Sequence, residues 1–293
     1  MKTKINPSFG MIVAFIVVSV FSLSVVFQMI IYFLHHFTNI MLPWFTMSNM
    51  SEHQSVLGTS ITIGFSLLFL RLVPLSLWKI YRTLQFRREM LAQIDNELTT
   101  TINTKYPNCN NKVIVIREAN FKALTIGFFK PIIIISSQVL HDFNKQELES
   151  ILLHEYHHVL MRDPLKKYIV DVMAEIVFFV PIMKRITGFY HAKAELLADR
   201  YAIQTMNTSE PLGFVILKLA KLHVTKTDSH ILSQFTETTN NYRIRQILEP
   251  DGQIQIPIWK PRTVLISLAT FSLNTLLFIS CVSSSFLLHK FLF

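Results

Sequence analysis

Two histidines four residues apart, His154 and His158, flank a glutamate, Glu155, in the run His154-Glu155-Tyr156-His157-His158. On a helix, positions i and i+4 share a face, so both imidazoles project together. That spacing lets one helix offer two nitrogen ligands to a single zinc ion. Glu155, about 100° further round the helix, reaches a water on the metal. As a general base it would take the water's proton and later pass it to a leaving amine. The competing reading is two surface histidines on an ordinary helix. Ile151, Leu152, Leu153 and Val159 surround the pair, so the face is semi-buried, and a buried polar cluster needs compensating partners.

A catalytic zinc site takes three protein ligands and keeps another position open. Residues 192–203 (AKAELLADRYAI) supply Glu195 and Asp199 at i and i+4 on an expected helix. Alone, such a pair reads as solvated helix charge. Following the His154-Glu155-x-x-His158 pattern, Glu195 reads as the third ligand. Asp199 reads as a carboxylate that orients a ligand histidine. His157 is the weaker ligand candidate, because the i, i+4 pair flanking Glu155 is better arranged. Asp163, in Arg162-Asp163-Pro164, reads first as a cap for the next helix and second as a support for the site. Arg200 is either a contact to substrate or transition state, or the partner of a nearby carboxylate. Arg243 and Arg245 read as a surface helix end.

These residues need elements to hold them. Asn144 can cap the helix that carries His154, and Glu147 sits where a capping box puts its carboxylate. Residues 84–102 pattern as an amphipathic helix. Residues 112–118 and 131–137 read as strands, the second rich in β-branched side chains, with Gly127 punctuating the approach. Helical signals dominate from there to about 222. Residues 81–262 are therefore expected to form a small sheet followed by helices, an α+β and predominantly helical fold.

The chain has 51% hydrophobic and only 16% charged residues, against about 25% charged in ordinary globular chains. This composition points to an integral membrane protein. Runs at 9–34, 56–80 and 263–288 give about three expected transmembrane helices. The resulting division is an N-terminal membrane region at 1–80, a cytoplasmic catalytic region at 81–262 and a C-terminal span within 263–293. The run 168–187 holds Asp171, Glu175 and Pro181. One full crossing there would separate His154 from Glu195, so it reads as a re-entrant or core helix. The net charge of +9 collects beside apolar runs, as the positive-inside rule requires, and favours the lipid bilayer over nucleic acid as a partner. Lys79, Arg82, Arg87, Arg88, Lys260 and Arg262 put the catalytic region on the cytoplasmic side, in a multi-pass protein of a bacterial cytoplasmic membrane. Cys109 and Cys281 lack CxxC spacing, which argues against a disulfide framework or a cysteine-built zinc site.

Three runs carry a family resemblance: GFFKPIIIISSQVLHDFNKQELESILLHEYHHVLMRDPL, then AELLADRYA, then YRIRQIL. Over roughly 120–250 the chain resembles the membrane gluzincins, and within them the BlaR/MecR peptidases. HtpX and the CAAX prenyl proteases share the HExxH and ExxxD logic, but the short gap between the two motifs here fits BlaR/MecR better. The resemblance implies that His154, His158 and Glu195 bind Zn2+ and that Glu155 is the catalytic base. It also implies that the strand near 132–137 lines a substrate groove and pairs with an extended peptide. Sensor-type relatives cleave a DNA-binding repressor or themselves. The sequence stops soon after the last apolar run, so a penicillin-binding sensor domain is not expected, and a signal would come from a separate sensor protein, the loop 35–54 or the membrane itself. The expected function is a zinc-dependent endopeptidase in signal transduction. The alternatives are a non-catalytic zinc scaffold and an HtpX-like quality-control protease.

Overall fold

Four consecutive isoleucines, Ile132 to Ile135, lie at the centre of the sheet. A strand alternates its side chains between two faces, so an unbroken apolar run demands cover on both. In the computed structural model Ile133 and Ile135 enter one core with Val113, Val115, Leu152 and Tyr156. Ile134 enters another with Met90, Ile116 and Ile126. The model describes residues 56–224 and 241–250, most of 252–291 and scattered positions between 12 and 30. The rest lie outside the described residues, and with them most of the apolar run 9–34.

The sheet has three strands, β1 (Val113–Ile116), β2 (Ala123–Ile126) and β3 (Ile132–Ser136), in the order β1-β3-β2. β1 runs parallel to β3 and β2 antiparallel to it. The sequence reading missed β2, whose four residues, Ala-Leu-Thr-Ile, are too few for a clear alternation. The missing strand changes the expected role of 132–137. β3 is central, with both edges filled by β1 and β2, so it has no edge to offer a peptide. The outer edge of β1 is also taken. Asn103 and Thr99 side chains accept from the Val113 and Val115 N–H groups, and Asp95 N–H donates to the Val115 carbonyl. Among the described residues, β2 is therefore the strand with an open edge.

The β2–β3 turn depends on Gly127, whose φ is +106°. A Cβ there would lie 2.7 Å from the Lys130 carbonyl oxygen. Gly127→Ala is expected to destabilise the protein by about 1–3 kcal/mol, read as a lower urea midpoint. An unchanged midpoint would mean that the turn relaxes without strain.

The helices are α1 (Val56–Leu91), α2 (Asn96–Lys105), α3 (Ser137–Asp142), α4 (Lys145–Met161), α5 (Asp163–Ile176), α6 (Pro181–Met206), α7 (Glu210–Val224), α8 (241–248) and α9 (Pro261–Phe291). The helix expected over 84–102 is two elements, the end of α1 and the start of α2. Asp95 separates them by capping α2 through the Leu98 N–H. The expected capping box of α4 is present, with Asn144 and Glu147 exchanging side chain-to-backbone bonds of 2.9 Å each. The run 168–187 is also two helices, because α5 ends at Ile176 and Pro181 opens α6.

The α+β, mainly helical character is as expected, but the integral-membrane part of that reading is corrected. Among the described residues, no helix is long and apolar enough to cross a membrane. Polar groups recur along the helices concerned. Arg71, Pro74, Lys79 and Arg82 interrupt α1. Thr263, Ser267, Thr270, Ser272 and Asn274 repeat through the first half of α9.

The chain forms two compact units. One comprises 1–79, 170–187 and 257–293, and the other 80–169 and 188–256. The second unit holds the sheet and every candidate site residue. It also holds Cys109, which is 1% exposed and whose thiol pKa burial pushes up to about 11. Iodoacetamide near neutral pH is expected to leave Cys109 unmodified in the native protein and to label it after unfolding. A carbamidomethyl group on native Cys109 would contradict this burial.

Candidate active site

α4 is buried along most of its length because its apolar residues pack on the sheet. His154, Glu155 and His158 are therefore buried too. Each ligand-candidate imidazole is held through Nδ1 by a carboxylate. His154 Nδ1 lies 2.8 Å from Asp199 and His158 Nδ1 lies 2.7 Å from Asp163. An ionised carboxylate only accepts, so both Nδ1 atoms carry the proton. That leaves Nε2 of each ring as the atom facing the centre. Both Nε2 atoms converge on Glu195, at 3.3 Å from His154 and 3.6 Å from His158. His154, His158 and Glu195 thus form a group able to hold a metal ion.

Asp163 supports the site instead of serving only as the start of α5. Arg162 takes the left-handed conformation at φ +54°. The resulting tight reversal brings the Asp163 carboxylate to His158 Nδ1. Asp199 is wholly buried and binds His154 on one side and Arg243 on the other, with guanidinium contacts of 2.7 and 2.8 Å. Arg243 is thus no surface residue, whereas Arg245 is well exposed and pairs with Glu249 in its own helix. Gln246 Nε2, one turn beyond Arg243, donates to the Leu196 carbonyl and fastens α8 to α6. Arg200, next to Asp199, lines a cavity with Ile203, Gln204, Asn207 and Gln246.

Charges around the centre keep the carboxylates ionised. Burial works against the Glu195 carboxylate, but Lys167 and His158 hold its pKa well below the usual range. The Lys167 ammonium sits 2.8 Å from Glu195. Burial likewise opposes Asp199 ionisation, and Arg243 outweighs it. Burial lowers the His158 pKa, but Glu195 and Asp163 lift it to about 9. His154 is also raised, Asp199 overcoming the cost of burial. His157 goes the other way. It is 1% exposed, both ring nitrogens lack hydrogen-bond partners among the described residues, and burial with the neighbouring His158 brings its pKa down to about 4. Its nitrogens group with His158 and Asp163, not with Glu195.

Glu155 leans toward the sheet. The Thr125 hydroxyl on β2 lies 2.8 Å from a Glu155 carboxylate oxygen and 2.9 Å from the Glu155 carbonyl. Sequence reasoning found neither Thr125 nor Lys167. Both belong to other segments, and no spacing ties them to the motifs. Chemically, the group offers two nitrogens and a carboxylate to one centre, with a second carboxylate beside it.

A family model described as BlaR1 peptidase M56 matches residues 45–247. The regulatory protein BlaR1 of Bacillus licheniformis is 24% identical over 160 residues, which are 54% of this chain and 26% of that protein. The regulatory protein BlaR1 of Staphylococcus aureus is 27% identical over 126 residues, 42% of this chain and 22% of that protein. The chain therefore aligns with about a quarter of the length of these curated relatives. The family match covers more than half of the chain and includes both helices that bring His154, His158 and Glu195 together, and on that ground the chain belongs to the BlaR1 peptidase M56 family.

Proposed function

We propose that this chain is a zinc-dependent endopeptidase that acts in signalling by cutting a protein regulator or itself. The observation that carries the reading is the convergence of His154 Nε2, His158 Nε2 and the Glu195 carboxylate beside Glu155. Ligand atoms 2.0–2.1 Å from a tetrahedral zinc lie about 3.3 Å apart, and the contacts of 3.3 and 3.6 Å fit that ion. Zinc bound there would supply Lewis acidity to the scissile carbonyl and to a water.

The chain's own residues do the rest. Asp199 and Asp163 fix the tautomer and orientation of the two imidazoles. Arg243 and Lys167 keep Asp199 and Glu195 anionic. Glu155 receives the water's proton and delivers it to the amine that leaves. The open edge of β2 offers backbone pairing to an extended segment of substrate. The Lys122/Ser136 pair is hydrogen-bonded, so by antiparallel alternation the N–H and C=O groups of Ala123 and Thr125 point away from β3.

A non-catalytic zinc scaffold would need a fourth protein ligand. Asp199 is committed to His154 and Arg243, and His157 lies with another group. A regulatory role is supported by the relatives' description as regulatory proteins.

The test is to express wild type and Glu155→Gln in the same bacterial cells and compare new protein N-termini by mass spectrometry. Termini that depend on Glu155 are expected, on a regulator or on the chain itself. Identical profiles would overturn the endopeptidase reading.

A further inference from the structure

We infer that Thr125 is the positioning residue for the base Glu155, and that it ties the base to the strand along which substrate docks. The inference rests on the endopeptidase reading above. Thr125 pairs with Ile133 across β2 and β3. Directly opposite residues point to the same face, so Thr125 shares the face of Ile133, which packs on α4. Its hydroxyl reaches two atoms of one residue, the Glu155 carboxylate at 2.8 Å and the Glu155 carbonyl at 2.9 Å.

The carbonyl contact locates the hydroxyl against the helix backbone, and the carboxylate contact fixes the Glu155 rotamer. A hydroxyl has one proton and donates to one acceptor at a time. The Glu155 carbonyl, already used within α4, leaves the carboxylate as the acceptor with most to gain, since bonds to ionised groups are the stronger ones. One carboxylate oxygen is then held by Thr125, which leaves the other to take the water's proton. The backbone of Thr125 meanwhile faces the open edge of β2. A peptide added to that edge would fix the backbone of Thr125, and through the hydroxyl it would restrict the motion of the base. Strand and base are joined at a single residue, so docking and proton transfer are mechanically linked.

Thr125→Val keeps the size and β-branching of the side chain and removes only the donor. Kinetics are measured on a peptide spanning a Glu155-dependent cleavage site found by the N-terminus comparison. Thr125→Val is expected to lower kcat by about 10- to 100-fold, in the range that misplacing a reacting group costs. KM and bound zinc should stay unchanged, and Thr125→Ser should restore most of the rate. In the Glu155→Gln background, Thr125→Val should cause no further loss, because the base it positions is already gone.

Wild-type kcat in Thr125→Val would overturn the inference while leaving the endopeptidase reading intact. An undiminished further loss in the Glu155→Gln background would also overturn it, making Thr125 a residue of strand packing alone. The absence of any Glu155-dependent cleavage site would overturn both.

Discussion

Glu155→Gln is expected to reduce the proteolytic rate by about 10²–10⁴-fold, the range in which a positioned general base contributes, while leaving the bound zinc unchanged. The glutamine amide matches the carboxylate in size and can still meet the Thr125 hydroxyl, 2.8 Å from the native side chain. It cannot accept the water's proton. His154, His158 and Glu195, which form the metal-competent group, are untouched. His154→Ala should behave differently, losing both zinc and activity, because a proposed ligand nitrogen is gone and the Asp199 carboxylate loses the imidazole it holds. Purified variants compared for zinc content by atomic emission and for cleavage rate would check both. A Glu155→Gln protein within about twofold of wild type in rate would remove Glu155 from the chemistry.

Arg243→Ala is expected to destabilise the protein by about 3–5 kcal/mol, the cost of leaving a buried charge without its partner. Asp199 has no exposure to water, and Arg243 makes two short bonds to it. Without the guanidinium, Asp199 must take up a proton or move, and in either case its hold on His154 Nδ1 weakens. Zinc affinity should therefore fall by about 10–100-fold, as it does when a partner of a ligand histidine is lost. Arg245→Ala is the internal control. That residue is exposed and, among the described residues, pairs with Glu249 at 3.6 Å, so its loss should cost no more than about 1 kcal/mol. Chemical denaturation of the two variants, with zinc competition by a chelator, reads both quantities. If Arg243→Ala is as mild as Arg245→Ala, the guanidinium does not neutralise Asp199.

The two arginines, two residues apart in YRIRQIL, show where local pattern stops being informative. Both read as a surface helix end, and only one faces solvent. Arg243 is buried because Asp199, on another helix, lies against it. Asp163 is a similar case. As a helix-opening residue before proline it fits a capping role, and its short bond to His158 exists only because Arg162 adopts φ +54° and turns the chain back sharply. The membrane reading erred differently. The runs 56–80 and 263–288 read as spans by their length, whereas charges, hydroxyls and Pro74 divide α1 and α9.

The sequence by itself determined the parts that depend on one helix at a time. The i, i+4 spacing aligned His154 with His158 and Glu195 with Asp199, and the Asn144–Glu147 box started α4 where expected. Helical periodicity and capping are local, so a few residues suffice to specify them. The tertiary structure alone decided which carboxylate holds which imidazole, which arginine is buried, that β2 and not β3 has the open edge, and that Thr125 meets Glu155. These pairings join segments far apart in the chain, and packing of several elements at once is what selects them.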